Sequence, residues 1–338
     1  MLPTEDLKRL LTKLRKAGAE KINFAGGEPF LYPKVLGDLV RHAKVADGFP
    51  SVSVISNGSS FSNRALKAGL MDKFFEKLGG EHLDMLGISC DSVDASTNLA
   101  IGRMEAGAAR AKDHTDDVRN AAGFARRYGQ RFKINTVGMY QSPSHHRLPP
   151  PTDPISPSRR QSRTVWGPNK LESGVANLIN ELEIVERWKI FQALPIVGEN
   201  TPLPAPAGAL AAEVAKLPGA GRGAGRSAGL PAMLVTHAEF KAFVARNEAA
   251  LTPALRAKGI IKDEDNAAMQ SSYILVDELG RFLDSSRGAK TPTQPILKVG
   301  LNAAAAELLG DNGRGFDREA WVKRDGDFFK SWGTPSLQ

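Results

Sequence analysis

Apolar residues recur along this 338-residue chain with two periods that alternate. Leu7, Leu10, Leu11 and Leu14 share one face of a 3.6-residue repeat, which predicts a helix over 4–16 with Thr4 as its cap. A β-type run at 20–24 follows, then a helical pattern near 34–46. Residues 51–55 read as a strand whose exit, Ser56-Asn57-Gly58, is rich in turn formers. The alternation continues with helices near 61–78, 114–128 and 174–183, and with strands at 83–89, 131–137 and 187–194. Strands alternating with helices predict parallel βαβ units and the α/β class. In such folds sites form beyond the carboxyl ends of the strands.

Two stretches break the pattern. Residues 138–171 hold seven of the 21 prolines with Ser, Arg and His, and show neither period. Such a composition buries too little apolar surface to offset the entropy of ordering it. Its flanks, Asn135-Thr136 and Val165-Trp166, would join naturally, so the segment reads as a retained intron or a disordered insertion. Residues 201–232, rich in Ala, Gly and Pro, read as a flexible linker. The expected organisation is a core over 1–137 and 172–200, interrupted by 138–171. The linker then leads to a C-terminal extension over 233–338. That extension carries a helix from about Thr236 to Arg246, strands at 273–276 and 282–283, and a helix near 301–309; it is expected to close over the mouth of the core.

The formal charge of +8 raises nucleic acid or an anionic surface as a partner. Residues 138–170 carry five Lys/Arg against one acid and residues 201–231 three against one, so these segments account for +6 of it. With little aromatic interleaving, they are not expected to bind nucleic acid. No run of 18 apolar residues is present, so no spanning helix is expected, and the first residues lack the pattern of a signal peptide. One cysteine excludes an internal disulfide and points to a reducing, cytoplasmic setting. Among the histidines His42, His82, His114, His145, His146 and His237 no metal-ligand spacing occurs, so no metal ligands are expected.

The chemistry concentrates in residues 20–30. A short β run ends in Gly26-Gly27-Glu28-Pro29, where the glycines let a ligand approach the backbone, Glu28 offers a charge and Pro29 stiffens the exit. Glu28 suits an ammonium group or a structural turn. Asn57 and Ser89, short polar residues at strand ends, read alone as a turn former and a satisfied hydroxyl. Cys90 would face away from Ser89 as a small buried hydrophobe. Lys21/Asn23, Lys133/Asn135 and Arg187/Lys189 repeat an i, i+2 spacing that sends both members of each pair to one face of a strand. Inside a barrel four such cations need an anion, and a triphosphate fits; the alternative is that they face solvent.

The Gly-Gly-Glu-Pro segment resembles the loop of radical S-adenosylmethionine enzymes that holds the amino group of the cofactor's methionine part. Further stretches resemble one branch, the viperin family of nucleotide dehydratases. These are Lys21-Ile-Asn-Phe24, Pro50–Gly58, Ile88–Ser92, Ile101-Gly-Arg103, Phe132-Lys-Ile-Asn135, Arg187–Gln192, Ser272–Glu278 and Val322-Lys-Arg324, in the family's order.

That resemblance implies a partial (βα) TIM-like barrel of the radical SAM type, lacking its first strand. It implies S-adenosylmethionine bound by Gly26, Gly27, Glu28, Pro29, Asn57, Ser89 and Arg103, with Ser89 and Arg103 near its ribose and carboxylate. It implies a nucleoside triphosphate, CTP foremost, held by Lys21, Asn23, Lys133, Asn135, Arg187, Lys189, Tyr273 and Arg324. A 4Fe-4S cluster on three cysteines and an electron donor complete the family's apparatus. There a 5′-deoxyadenosyl radical takes hydrogen from the nucleotide ribose, and water loss gives a didehydro-deoxy product used in antiviral defence. The catalytic residues within this chain stay unassigned. The cysteine triplet expected just before Pro3 is not in this sequence, so either Met1 is an internal residue of a longer product or the chain is a cluster-free relative, inactive as written. Ala25 stands where the family has serine, and Asp325 and Asp327 put acids where it has glycine and lysine.

Overall fold

The computed structural model describes residues 1–100, 114–138, 172–193, 235–269, 273–284, 291–309, 318–323 and 326–331. Arg103, Arg324 and most of the two irregular segments lie outside the described residues.

Six parallel strands form one sheet in sequence order: β1 (Lys21–Phe24), β2 (Ser51–Ser56), β3 (Met85–Ser89), β4 (Arg131–Gly138), β5 (Val185–Gln192) and β6 (Ile261–Glu264). The sheet curls into a half-barrel with helices on its outer side, the α/β architecture that the alternation predicts. Five strands match the expected positions; β6 was not foreseen. On the outer face Val52, Val54, Leu86, Ile88, Phe132, Ile134, Trp188 and Ile190 alternate out of the strands into one core. Burying each such side chain contributes roughly 1.5–3 kcal/mol. They meet Leu36 and Val40 of α2 (Pro33–Arg41), Phe74 and Phe75 of the helix at Leu70–Lys77, Val118 and Ala122 of the helix at Thr115–Arg127, and Ile179 of the helix at Glu172–Leu182. Cys90, fully buried, belongs to this core.

Local corrections have local causes. The first helix, α1 (Thr4–Lys16), starts at Thr4 instead of being capped by it: Pro3 takes the cap position and no side chain caps the end. The helix expected over 61–78 is two, Asn63–Lys67 and Leu70–Lys77, split at Gly69, whose φ of 67° no helix tolerates. Thr236 does cap the helix His237–Ala250, exchanging hydrogen bonds with Glu239 in a capping box.

The C-terminal part supplies a small antiparallel sheet, β7 (Leu275–Val276), β8 (Phe282–Asp284) and β9 (Thr291–Pro292). Its Phe282 joins Ile296 and Ala304 in a second core completed by Leu10 of α1. Among the described residues no helix is long and apolar enough to cross a membrane.

Candidate functional site

The inner face of the half-barrel is polar because strand register stacks the polar pairs in rows. Lys21 lies opposite Ser51 and Asn23 opposite Ser53. One row runs Gly87, Lys133, Arg187; the next runs Ser89, Asn135, Lys189, Lys262. The i, i+2 parity thus does what the spacing implied: it turns all three pairs to one side.

Lys133 occupies the centre. It is 4% exposed and Arg187 3%. Burial pushes the Lys133 ammonium well below the ordinary lysine pKa, and Lys21, Lys189 and Arg187 push it further, while Glu264 pulls it up. Register sets Arg187 directly opposite Lys133, with Lys189 two residues further along the same face of β5. Gly87 makes the room: a Cβ there would stand 2.7 Å from Lys133 Cε.

Each remaining cation has a named neighbour. Lys189 pairs with the fully buried Glu264 and donates to the Tyr273 phenol at 3.1 Å, while that phenol donates to Glu264 at 2.6 Å. The Arg187 guanidinium lies 5.3 Å from the Phe328 ring centre, and Lys21 Nζ lies 3.5 Å from the Gly326 carbonyl oxygen. Asn23 is exposed and accepts a hydrogen bond from Ser53 Oγ. Asn135 Oδ1 is buried with no hydrogen-bond partner among the described residues, an acceptor that suits a ligand hydroxyl.

At the carboxyl ends of β1 and β2 lies the glycine loop. Gly26 and Gly27 adopt φ of 86° and 55°, and a Cβ at either would meet no atom within 4 Å. Conformation, not crowding, requires glycine there, and the backbone is left open. Pro29 opens the 3₁₀ turn Pro29–Leu31. The buried Glu28 carboxylate accepts from Phe30 N at 3.2 Å, Ser56 Oγ at 2.9 Å and Asn57 N at 2.7 Å. Both readings of Glu28 are therefore compatible with the geometry, since a carboxylate has about four acceptor positions and three are filled. Asn57 is exposed, and its Oδ1 accepts from Ser59 N at 2.8 Å, the arrangement of a turn former. The Ser89 carbonyl is held by His114 Nε2 at 2.8 Å.

Sequence reasoning missed Glu264, Ser53, Gly87 and Phe328. Register supplied Ser53 and Gly87, which face Asn23 and Lys133 across one strand spacing, whereas Glu264 faces Phe191 and reaches Lys189 diagonally. The cluster fares differently. Three thiolates are needed to hold it, and the one cysteine here is fully buried among apolar side chains. Among the described residues no group of three His, Cys, Asp or Glu is placed to hold a metal. These residues do not fit an iron–sulfur cluster.

Comparison with known proteins identifies the family. The family description "Radical SAM superfamily" matches residues 1–147. The S-adenosylmethionine-dependent nucleotide dehydratase RSAD2 of Siniperca chuatsi is 32% identical across 100% of this chain and 74% of its own length. That of Oncorhynchus mykiss is 33% identical over 97% of this chain and 72% of its own. An S-adenosylmethionine-dependent nucleotide dehydratase of Lacinutrix mariniflava is 26% identical over 100% of this chain and 53% of its own. A solved structure, Streptococcus suis SuiB bound to S-adenosylmethionine, shows a partial likeness with a TM-score of 0.36 at 14% identity, over 58% of this chain and 35% of that one. With vertebrate relatives matched from end to end of its sequence, the chain belongs to the radical SAM family of S-adenosylmethionine-dependent nucleotide dehydratases.

Proposed function

We propose that the inner face of the half-barrel binds a nucleoside triphosphate, CTP foremost, beside S-adenosylmethionine on the Gly26–Pro29 loop, for removal of water from the nucleotide ribose. The observation that carries this is that Lys21, Lys133, Arg187 and Lys189 share the inward-facing side of the sheet, with Lys133 and Arg187 buried opposite one another. Like charges brought together out of water are unfavourable without an anion, and a triphosphate offers the densest charge on a nucleotide. Lys133 and Arg187 would engage phosphate oxygens, the guanidinium as a fork. Asn135 Oδ1 would accept from a sugar hydroxyl and so orient the ribose. The open glycine backbone would take the amino-acid end of S-adenosylmethionine, its ammonium finding the remaining acceptor position of Glu28.

S-adenosylmethionine, when bound next to a reduced cluster, supplies the family's radical chemistry. The buried Cys90 does not supply the three thiolates of such a cluster. Iron and sulfide reconstitution under anaerobic conditions is expected to give no broad visible absorbance.

Calorimetric titration tests the nucleotide site without needing turnover. CTP is expected to bind and cytidine not to. Lys189→Ala is expected to weaken CTP by about tenfold or more, since a hydrogen bond to a charged group contributes about 1.5–3 kcal/mol. Equal titration curves for CTP and cytidine would overturn the assignment.

A further inference from the structure

An acid buried in a pocket built for anions works against its ligand, and Glu264 is such an acid. It ends β6, is fully buried, and pairs with Lys189, which lies on the cationic face. Its second oxygen accepts the Tyr273 phenol at 2.6 Å, and the Lys189 ammonium donates to that phenol at 3.1 Å, so the three side chains close a ring. The aromatic rings of Phe191 and Tyr273 flank the same ammonium, each centre 5.6 Å away. Glu264 is also the acid felt by Lys133 across the pocket.

We propose that Glu264 is a specificity-determining residue: an internal counter-anion that sets which polyanions the pocket accepts. By occupying Lys189 it lowers the positive field in the pocket. The repulsion it adds grows with ligand charge, so it weighs most against bare inorganic polyphosphate. A nucleotide regains that loss through contacts of its sugar and base, which inorganic polyphosphate lacks. Lys189 and Tyr273, fixed by the same carboxylate, present one oriented donor set instead of two mobile ones. This rests on the reading of the pocket as a nucleoside triphosphate site.

The test measures affinities of the full chain for CMP, CDP, CTP and inorganic tripolyphosphate, for the natural protein and Glu264→Gln. Gln keeps the size and one acceptor but not the charge. The variant is expected to bind tripolyphosphate about five- to tenfold tighter, CTP about four- to sixfold and CMP about twofold, because removing one charge changes the energy in proportion to the ligand's own. The preference for CTP over tripolyphosphate should fall. Tyr273→Phe, which leaves the carboxylate, is expected to tighten nothing. If Glu264→Gln stays folded by its thermal transition yet weakens every ligand equally, Glu264 only ties β6 to β5 and the proposal is overturned. If the natural protein binds tripolyphosphate as well as CTP while Glu264→Gln still tightens tripolyphosphate, the nucleotide reading fails and the role of Glu264 stands. Binding of neither ligand overturns both.

Discussion

Lys133 is the residue at which stability and the proposed binding of a polyanion oppose one another. It is nearly without solvent contact and shares its surroundings with three other cations, so its charged form is disfavoured in the folded, ligand-free chain. The folded-state pKa lies below the unfolded value, so between the two the native state holds fewer protons than the unfolded one. Stability therefore rises with pH across that window, and the full cost is present below it. Lys133→Met, similar in length and apolar, is expected to raise the thermal transition, by a stability gain of about 1–4 kcal/mol if it behaves like other buried charges replaced by apolar side chains. It should also flatten the pH dependence below the ordinary lysine range and weaken tripolyphosphate. Thermal melts across pH check all three parts, and a variant less stable at every pH would show that Lys133 is held by compensating contacts.

At the level of elements, strand register does most of the positioning. Gly87 of β3 sits directly opposite Lys133 of β4, and its missing side chain is filled by the lysine stem. An added methyl would meet Lys133 Cε and Ile55 Cδ1, each at 2.7 Å, and both are far ends of side chains that can swing away. Gly87→Ala is accordingly expected to leave the thermal transition within a few degrees while lowering CTP affinity about tenfold through a displaced ammonium, on the scale of one charged hydrogen bond. A large stability loss with unchanged affinity would refute this. The same period of two made the pairs legible in the sequence: Lys21/Asn23, Lys133/Asn135 and Arg187/Lys189 needed only to be on strands to share a face. β6 was not legible, because Ile261-Lys-Asp-Glu264 carries three charged residues in four and resembles a surface loop. Its polar inner face exists only in company with Lys189 on the neighbouring strand, a partner 75 positions away in sequence. Thr4 failed as a cap for a more local reason, since the preceding Pro3 already has the extended backbone that the cap position needs.

Across the whole molecule, the surroundings of the cationic face are assembled from both ends of the chain. Tyr273 and Phe328 reach the cationic face from the C-terminal part, and Gly326 meets Lys21. That part is moored to the first helix: Leu10 packs with Phe282 and Ile296, Leu2 N donates to the Glu278 carbonyl at 2.8 Å, and Glu20 meets Arg318 and Lys330 at 3.8 and 3.6 Å. The exposed ion pairs contribute little, about 0–1 kcal/mol each, so the small apolar core carries the mooring. Truncating Phe282 to Ala removes the largest side chain in that core and should cost about 3–5 kcal/mol if the cavity persists. The loss is expected to be local. Backbone amides of 275–284 should exchange with solvent faster, while those of β2 to β4, buried in the separate main core, stay protected. Phe282 belongs to the second core and not to the cationic face, yet CTP affinity should fall, because freeing β7 frees the Tyr273 phenol next to it. Exchange mass spectrometry and titration on one sample decide the point: faster exchange at 275–284 with undiminished CTP binding would mean that Tyr273 is held by Glu264 and Lys189 alone, and that the C-terminal sheet does not position the site.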